Sequence, residues 1–126
     1  MLLGLATGTT SVSFGSSGAT VASLSTFTVP TGVTKIRLTF SCDSVYFSSG
    51  TGFITLSILD GSTIVAAKNV GSLATNVQVD ADRTFVIGVT PGASKTFSIK
   101  GSVGSGTGNV LASSSSPITF MAETVG

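Results

Sequence analysis

Few of the side chains that do chemistry are present in this sequence. There is no histidine and one cysteine, Cys42, which removes the Ser-His-Asp triad, the Cys-His dyad, a Cys/His zinc site and any internal disulfide. The oxygen ligands that remain are sparse. Asp80 and Asp82, with the Gln78 amide nearby, put oxygens on one strand face; they suit calcium, which takes about six or more, or form a plain solvated strand edge. Asp43, Asp60 and Glu123 stand alone in sequence, so a glycosidase-type carboxylate pair needs the fold to gather two of them. Ser94-Lys95 has the residue types of a Ser-Lys dyad, but strand neighbours project to opposite faces and cannot act as nucleophile and base. The glycines in residues 101–108 lack the Gly-Lys-Ser/Thr ending of a phosphate loop and precede no helical pattern, so they read as a mobile loop.

Binding residues are nearly as scarce. A sugar site stacks aromatic rings beside acidic or amide groups, and this chain has no Trp and one Tyr. Tyr46 and Phe47, ahead of a Ser-Gly loop, are the exposed-aromatic candidates, with an edge-of-core position as the plainer alternative. Lys35 and Arg37 share the polar face of the strongest strand pattern and suit an acidic partner surface, or are simply solvated. Cys42 continues the apolar alternation of that strand and reads as a small buried hydrophobe. The expectation is a protein without catalytic role, cofactor or metal.

The elements that must carry these residues show period two. Ile36, Leu38, Phe40 and Cys42 oppose Lys35, Arg37, Thr39 and Ser41; Ile54, Leu56 and Ile58 alternate with Phe53, Thr55, Ser57 and Leu59. Phe85, Ile87 and Val89, then Phe97, Ile99 and Val103, then Ile118, Phe120 and Ala122 repeat the pattern. Weaker strands fall at residues 12–14, 20–29, 63–70, 77–79 and 110–112. Pro30-Thr31-Gly32, Pro91-Gly92 and the hairpin signal Asp60-Gly61 punctuate them. The fold class this predicts is all-β, a two-sheet antiparallel β-sandwich, a jelly roll first and an immunoglobulin-like sandwich second. Residues 19–126 form the single domain. Residues 1–18, rich in Gly, Ser and Thr, read as a short flexible N-terminal arm with Val12 and Phe14 as its anchors.

Composition bounds the partners. Ser, Thr and Gly supply 56 of 126 residues, Asp, Glu, Lys and Arg only 9%, and the formal charge is +1. Nucleic acid needs a basic stripe that this chain lacks, and no apolar run reaches the roughly 18 to 20 residues that cross a bilayer. Neither nucleic acid nor membrane is an expected partner, and no signal peptide is read at the start. Eleven charged side chains cannot cover the outer faces of a sandwich of this size. The remaining outward positions are hydroxyl, glycine or apolar, which predicts burial of surface in a homo-oligomer.

The string STFTVPTGVTKIRLTF resembles the opening of β-sandwich modules in tailed-bacteriophage virion proteins, and GVTPGASKTFSIKGSVGSGTGNV and ITFMAETVG are similar to their late strands. The resemblance covers residues 20–126. It implies a capsid decoration (cement) protein, a homotrimer or other oligomer on the outer capsid surface of the virion, bound to the major capsid protein. In that reading Lys35 and Arg37 supply charged contacts, and Val12 and Phe14 fix the arm to the shell. The alternative is a tail or fibre receptor-binding module that recognises host surface glycan through residues 46–52 and 101–108. The head is favoured because a fibre tip is expected to carry an N-terminal shaft or attachment domain, whereas this sequence opens on a short arm.

Overall fold

The computed structural model describes residues 1–125. Twelve strands make up the fold: β1 (Leu2–Gly8), β2 (Val12–Phe14), β3 (Ala19–Ser23), β4 (Phe27–Thr28), β5 (Lys35–Ser49), β6 (Gly52–Asp60), β7 (Thr63–Leu73), β8 (Val79–Gly88), β9 (Ser94–Lys95), β10 (Phe97–Val103), β11 (Thr107–Leu111) and β12 (Ile118–Thr124). No helix occurs among the described residues.

One rule orders the pairing. β6 and β7 meet at a two-residue turn, Gly61-Ser62, where Gly61 takes a φ of +61° as the first turn position of a tight hairpin requires. Outward from that tip β5 pairs with β8, β4 with β9, β3 with β10, β2 with β11 and β1 with β12, all antiparallel. The chain is therefore one long hairpin closed near its middle. Rolling it up brings β12 and β11 against the second edge of β5, and β10 against β6.

Two main sheets result. In the first, β1, β12 and β5 run in order, β8 lies beyond β5, and β11 and β2 flank the C-terminal half of β5; the second runs β3-β10-β6-β7. Their inner faces supply a single core, with Ile36, Leu38, Phe40, Ile118 and Phe120 from one sheet against Ile54, Ile58, Phe97 and Ile99 from the other. Each such side chain contributes about 1.5–3 kcal/mol by leaving water. The short β4–β9 pair is stitched at its turns, where Val29 N–H donates to Ala93 O and Gly92 N–H to Val29 O, each at 2.8 Å.

The N-terminal segment differs from expectation. Residues 1–18 are not a flexible arm: β1 pairs along β12, and β2 pairs with β11. The reason lies on the inward face of β1, where Gly4 and Ala6 pair with Ala122 and Phe120 of β12. Small residues there let the strand lie close over Leu24, whose nearest carbon would be 3.4 Å from a Cβ at Gly4. Phe14 is likewise not an arm anchor but part of the core, 4% exposed. Its ring fills the space between Gly101 and Gly108, where a Cβ on either glycine would fall 2.6 Å from a ring carbon. Val12 packs, half-buried, against the same core.

Candidate contact surfaces

On the outer face of the first sheet the register lines up side chains from four strands. Leu2, Glu123, Arg37 and Val86 form one row across β1, β12, β5 and β8; Leu5, Met121, Thr39 and Thr84 form the next; Thr7, Thr119, Ser41 and Asp82 form the third. Leu2, Leu5 and Val86 are 55%, 56% and 54% exposed. Arg37 Nη1 pairs with Glu123 Oε1 at 3.2 Å, and Ser41 Oγ donates to Asp82 Oδ1 at 2.6 Å. Lys35 stands exposed at one end of the face; Asp43, Asp80 and Asp82 stand exposed at the other. None of these four makes an ion pair among the described residues.

A second surface lies on the opposite sheet. Its edge strand β7 is eleven residues long with Thr63, Ile64, Val65, Ala67 and Asn69 exposed. Its one charge, Lys68, lies across from Leu56 and lines the space between the sheets together with Phe40, Leu56 and Ile58. The other free edge on this side, β8, is guarded by exposed Asp80, Asp82 and Arg83. Phe53, 58% exposed, stands beside Gly71 of β7, where a Cβ would collide with its ring. Val77, in the connection from β7 to β8, is also exposed. An unguarded apolar edge is a template for another chain.

The residues singled out from sequence fall as follows. Lys35 and Arg37 do share the outer face of β5, but Arg37 is half-buried in its pair with Glu123 and only Lys35 stands unpaired. The loop expected at residues 46–52 is largely strand, because β5 continues to Ser49; Phe47 is buried in the core and Tyr46 half-buried. The expected mobile loop at 101–108 shrinks to Gly104, Ser105 and Gly106 between β10 and β11. Ser94-Lys95 is β9, and Lys95 Nζ holds Asp60 Oδ2 at 3.0 Å. Gln78 Oε1 accepts from Ser44 Oγ at 3.1 Å. No group of three or more His, Cys, Asp or Glu converges to hold a metal ion among the described residues. Cys42 is buried, and loss of water around it pushes its thiol from the ordinary 9.0 up to about 12, a poor nucleophile.

Concavities are shallow. Between the β7 and β8 edges runs an open groove of about 490 Å³, lined by Lys68, Asn69, Leu73, Asp80 and Asp82 among others. The apolar space beneath it amounts to about 10 Å³, the room of a single water. A similar open concavity, about 460 Å³, lies by Thr39, Ser41, Asp82 and Thr84 on the first sheet, so the arrangement offers broad contact faces with shallow open grooves. Leu2, Leu5, Ile64 and Val65 were not among the residues the sequence singled out, whereas Phe53 and Val86 were legible as out-of-phase apolar residues in alternating strands. Compared with known proteins, the chain matches no family model and no curated sequence.

Proposed function

We propose that this chain is a non-enzymatic structural protein of a virion, a decoration (cement) protein that binds the outer capsid surface as a homo-oligomer, a trimer by the resemblance of its strands, and stabilises the shell against the major capsid protein. The observation that carries the reading is a pair of surfaces that expose apolar side chains: Leu2, Leu5 and Val86 around the Arg37–Glu123 pair on one sheet, and the unguarded β7 edge with Ile64 and Val65 on the other. The nested pairing of strands about the Gly61 turn supports reading the sandwich as a jelly roll. Bridging between shell subunits by flat apolar and hydroxyl contacts requires no catalytic group.

A second reading, a tail or fibre module that binds host surface glycan, has one observation in its favour: the groove between β7 and β8 sets the Asn69 amide near the Asp80 and Asp82 carboxylates. Immunogold labelling of particles from a culture producing this protein separates the two. Label spread over the head is the expected result. Label confined to the tail overturns the decoration reading in favour of the glycan groove, and unlabelled particles overturn both.

A further inference from the structure

We propose that the outer face of the first sheet is where a second copy of this chain packs, its strands antiparallel to those of the first about a two-fold axis. This rests on the oligomeric reading above and assigns its contact. The face exposes Leu2 and Leu5 on β1, Met121 on β12 and Val86 on β8, with Arg37 and Thr39 of β5 between them. Its one ion pair, Arg37 with Glu123, is internally neutral.

The unpaired charges decide the orientation. Lys35 begins β5 at one end, and Asp43, Asp80 and Asp82 cluster at the other. Lys35 and Asp43 are eight residue steps apart along β5, about 26 Å at ~3.3 Å per residue, well beyond the ~8–10 Å over which salt leaves charges coupled. A two-fold axis through the middle of the face lays each Lys35 against the partner's acidic end. A parallel arrangement around a threefold axis would instead set the acidic ends side by side. Combined with a threefold contact elsewhere, such a pair gives six copies.

Size agrees with a specific but modest contact. Four strands at ~4.8 Å spacing and about nine residues of length cover roughly 570 Å², or about 1,100 Å² counted over both copies, just above the ~1,000 Å² that separates specific interfaces from chance ones.

Sedimentation velocity of the full chain over a concentration series tests the assignment. Wild type is expected to form dimers or larger even-numbered species. Leu5→Asp places a charge in the apolar row and is expected to weaken association about tenfold or more. Lys35→Glu and Asp82→Lys are each expected to weaken it about threefold to tenfold at low salt, and the double variant Lys35→Glu/Asp82→Lys to recover most of the loss. Urea unfolding at a dilution where each variant is monomeric should match wild type within about 0.5 kcal/mol, which separates lost contact from lost fold. If the chain associates but Leu5→Asp leaves association unchanged, the face is wrong while the oligomeric reading stands. If the double swap is no better than the single variants, the antiparallel orientation is wrong. A chain that stays monomeric at its highest attainable concentration overturns this assignment and the oligomeric reading together.

Discussion

Phe14 separates a domain that begins at its first strand from one that begins after an arm. Its ring is 4% exposed and fills the space over two glycines, Gly101 in β10 and Gly108 in β11, so it ties the first main sheet to the second. Truncation to alanine removes most of a buried phenyl group from a site that glycine backbone cannot refill, at a cost of about 3–5 kcal/mol. With an unfolding entropy of about 2.1 cal/mol/K per residue, each kcal/mol moves the midpoint of a 126-residue domain by about 4 °C, so Phe14→Ala is expected to lower Tm by about 12–20 °C. The companion is Gly108→Ala. Its added methyl would sit 2.6 Å from Phe14 Cε2 and 2.8 Å from Val103 Cγ1, and the overpacking costs about 1–3 kcal/mol. In the Phe14→Ala background that methyl meets less, so the two changes should couple by about 1–2 kcal/mol in a double-mutant cycle. Urea unfolding of the four proteins, followed by circular dichroism at fixed low concentration, gives the cycle. A Phe14→Ala variant within about 0.5 kcal/mol of wild type, or two strictly additive changes, would refute the packing argument and return residues 1–18 to the status of an arm.

Cys42 supplies a pH dependence. Its thiol is held near 12 in the folded protein and near 9.0 when free, so above pH 9 the unfolded chain releases a proton that the native state keeps, and stability falls as pH rises toward 12. By pH 11 the loss approaches about 2.7 kcal/mol, and a Cys42→Ala variant, compared with wild type across pH 8–11, should lack that part of the decline. Asn109 is buried, accepts from Ser13 Oγ at 2.6 Å and donates through Nδ2 to Ser48 Oγ at 3.0 Å, joining β2, β11 and β5; Asn109→Ala is expected to cost about 1–3 kcal/mol in urea unfolding. Gly61→Val, which forces a β-branched residue to a φ of +61°, should cost at least about 1–2 kcal/mol and slow refolding in stopped-flow measurements, because this turn closes the hairpin on which every other pairing is built. Glu123→Gln, at a partly exposed ion pair, should change stability by less than about 1 kcal/mol.

The strands that could be read in the sequence are those whose phase is unbroken. Ile36 to Cys42 on β5 and Ile54 to Ile58 on β6 alternate cleanly, and both face the core as their pattern says. The continuation of β5 was hidden by a bulge between Cys42 and Val45, which moves the inward positions from even numbers (Phe40, Cys42) to odd ones (Val45, Phe47). A loop was the natural reading of Tyr46 and Phe47 once the alternation failed. β1 was hidden differently: Leu3 and the small Ala6 pack on the core while Leu2 and Leu5 are exposed, and an irregularity between Leu2 and Gly4 breaks the phase of its alternation. The Gly101 and Gly108 positions look like loop in sequence because glycine usually is; here they are strand residues stripped of side chains to admit Phe14. Side chains from distant strands met only through nested pairing, which has no local signature.

That nesting also explains why the molecule has two different outer surfaces. A rolled hairpin leaves β7, which runs from the tip, and β8, the next strand along the chain, as free edges on one side of the sandwich, and sequence must decide which of them to protect. Three exposed charges, Asp80, Asp82 and Arg83, sit on β8, whereas on β7 the only charge, Lys68, is drawn between the sheets. Protecting one edge and leaving the other open is an asymmetry that solubility alone does not require, because one further charge near Ile64 or Val65 would guard β7 as well. The proposed function gives Ile64 and Val65 a reason, a partner that covers them, which the stability of the isolated domain does not supply. The first sheet makes the complementary choice: its edge strand β1 exposes Leu2 and Leu5, yet the face they belong to ends in opposite charges that admit one orientation of a copy. On the proposed function the apolar edge is the surface for a different partner and the polarised face the surface for a second copy, and both placements follow from where a long hairpin puts its ends and its tip.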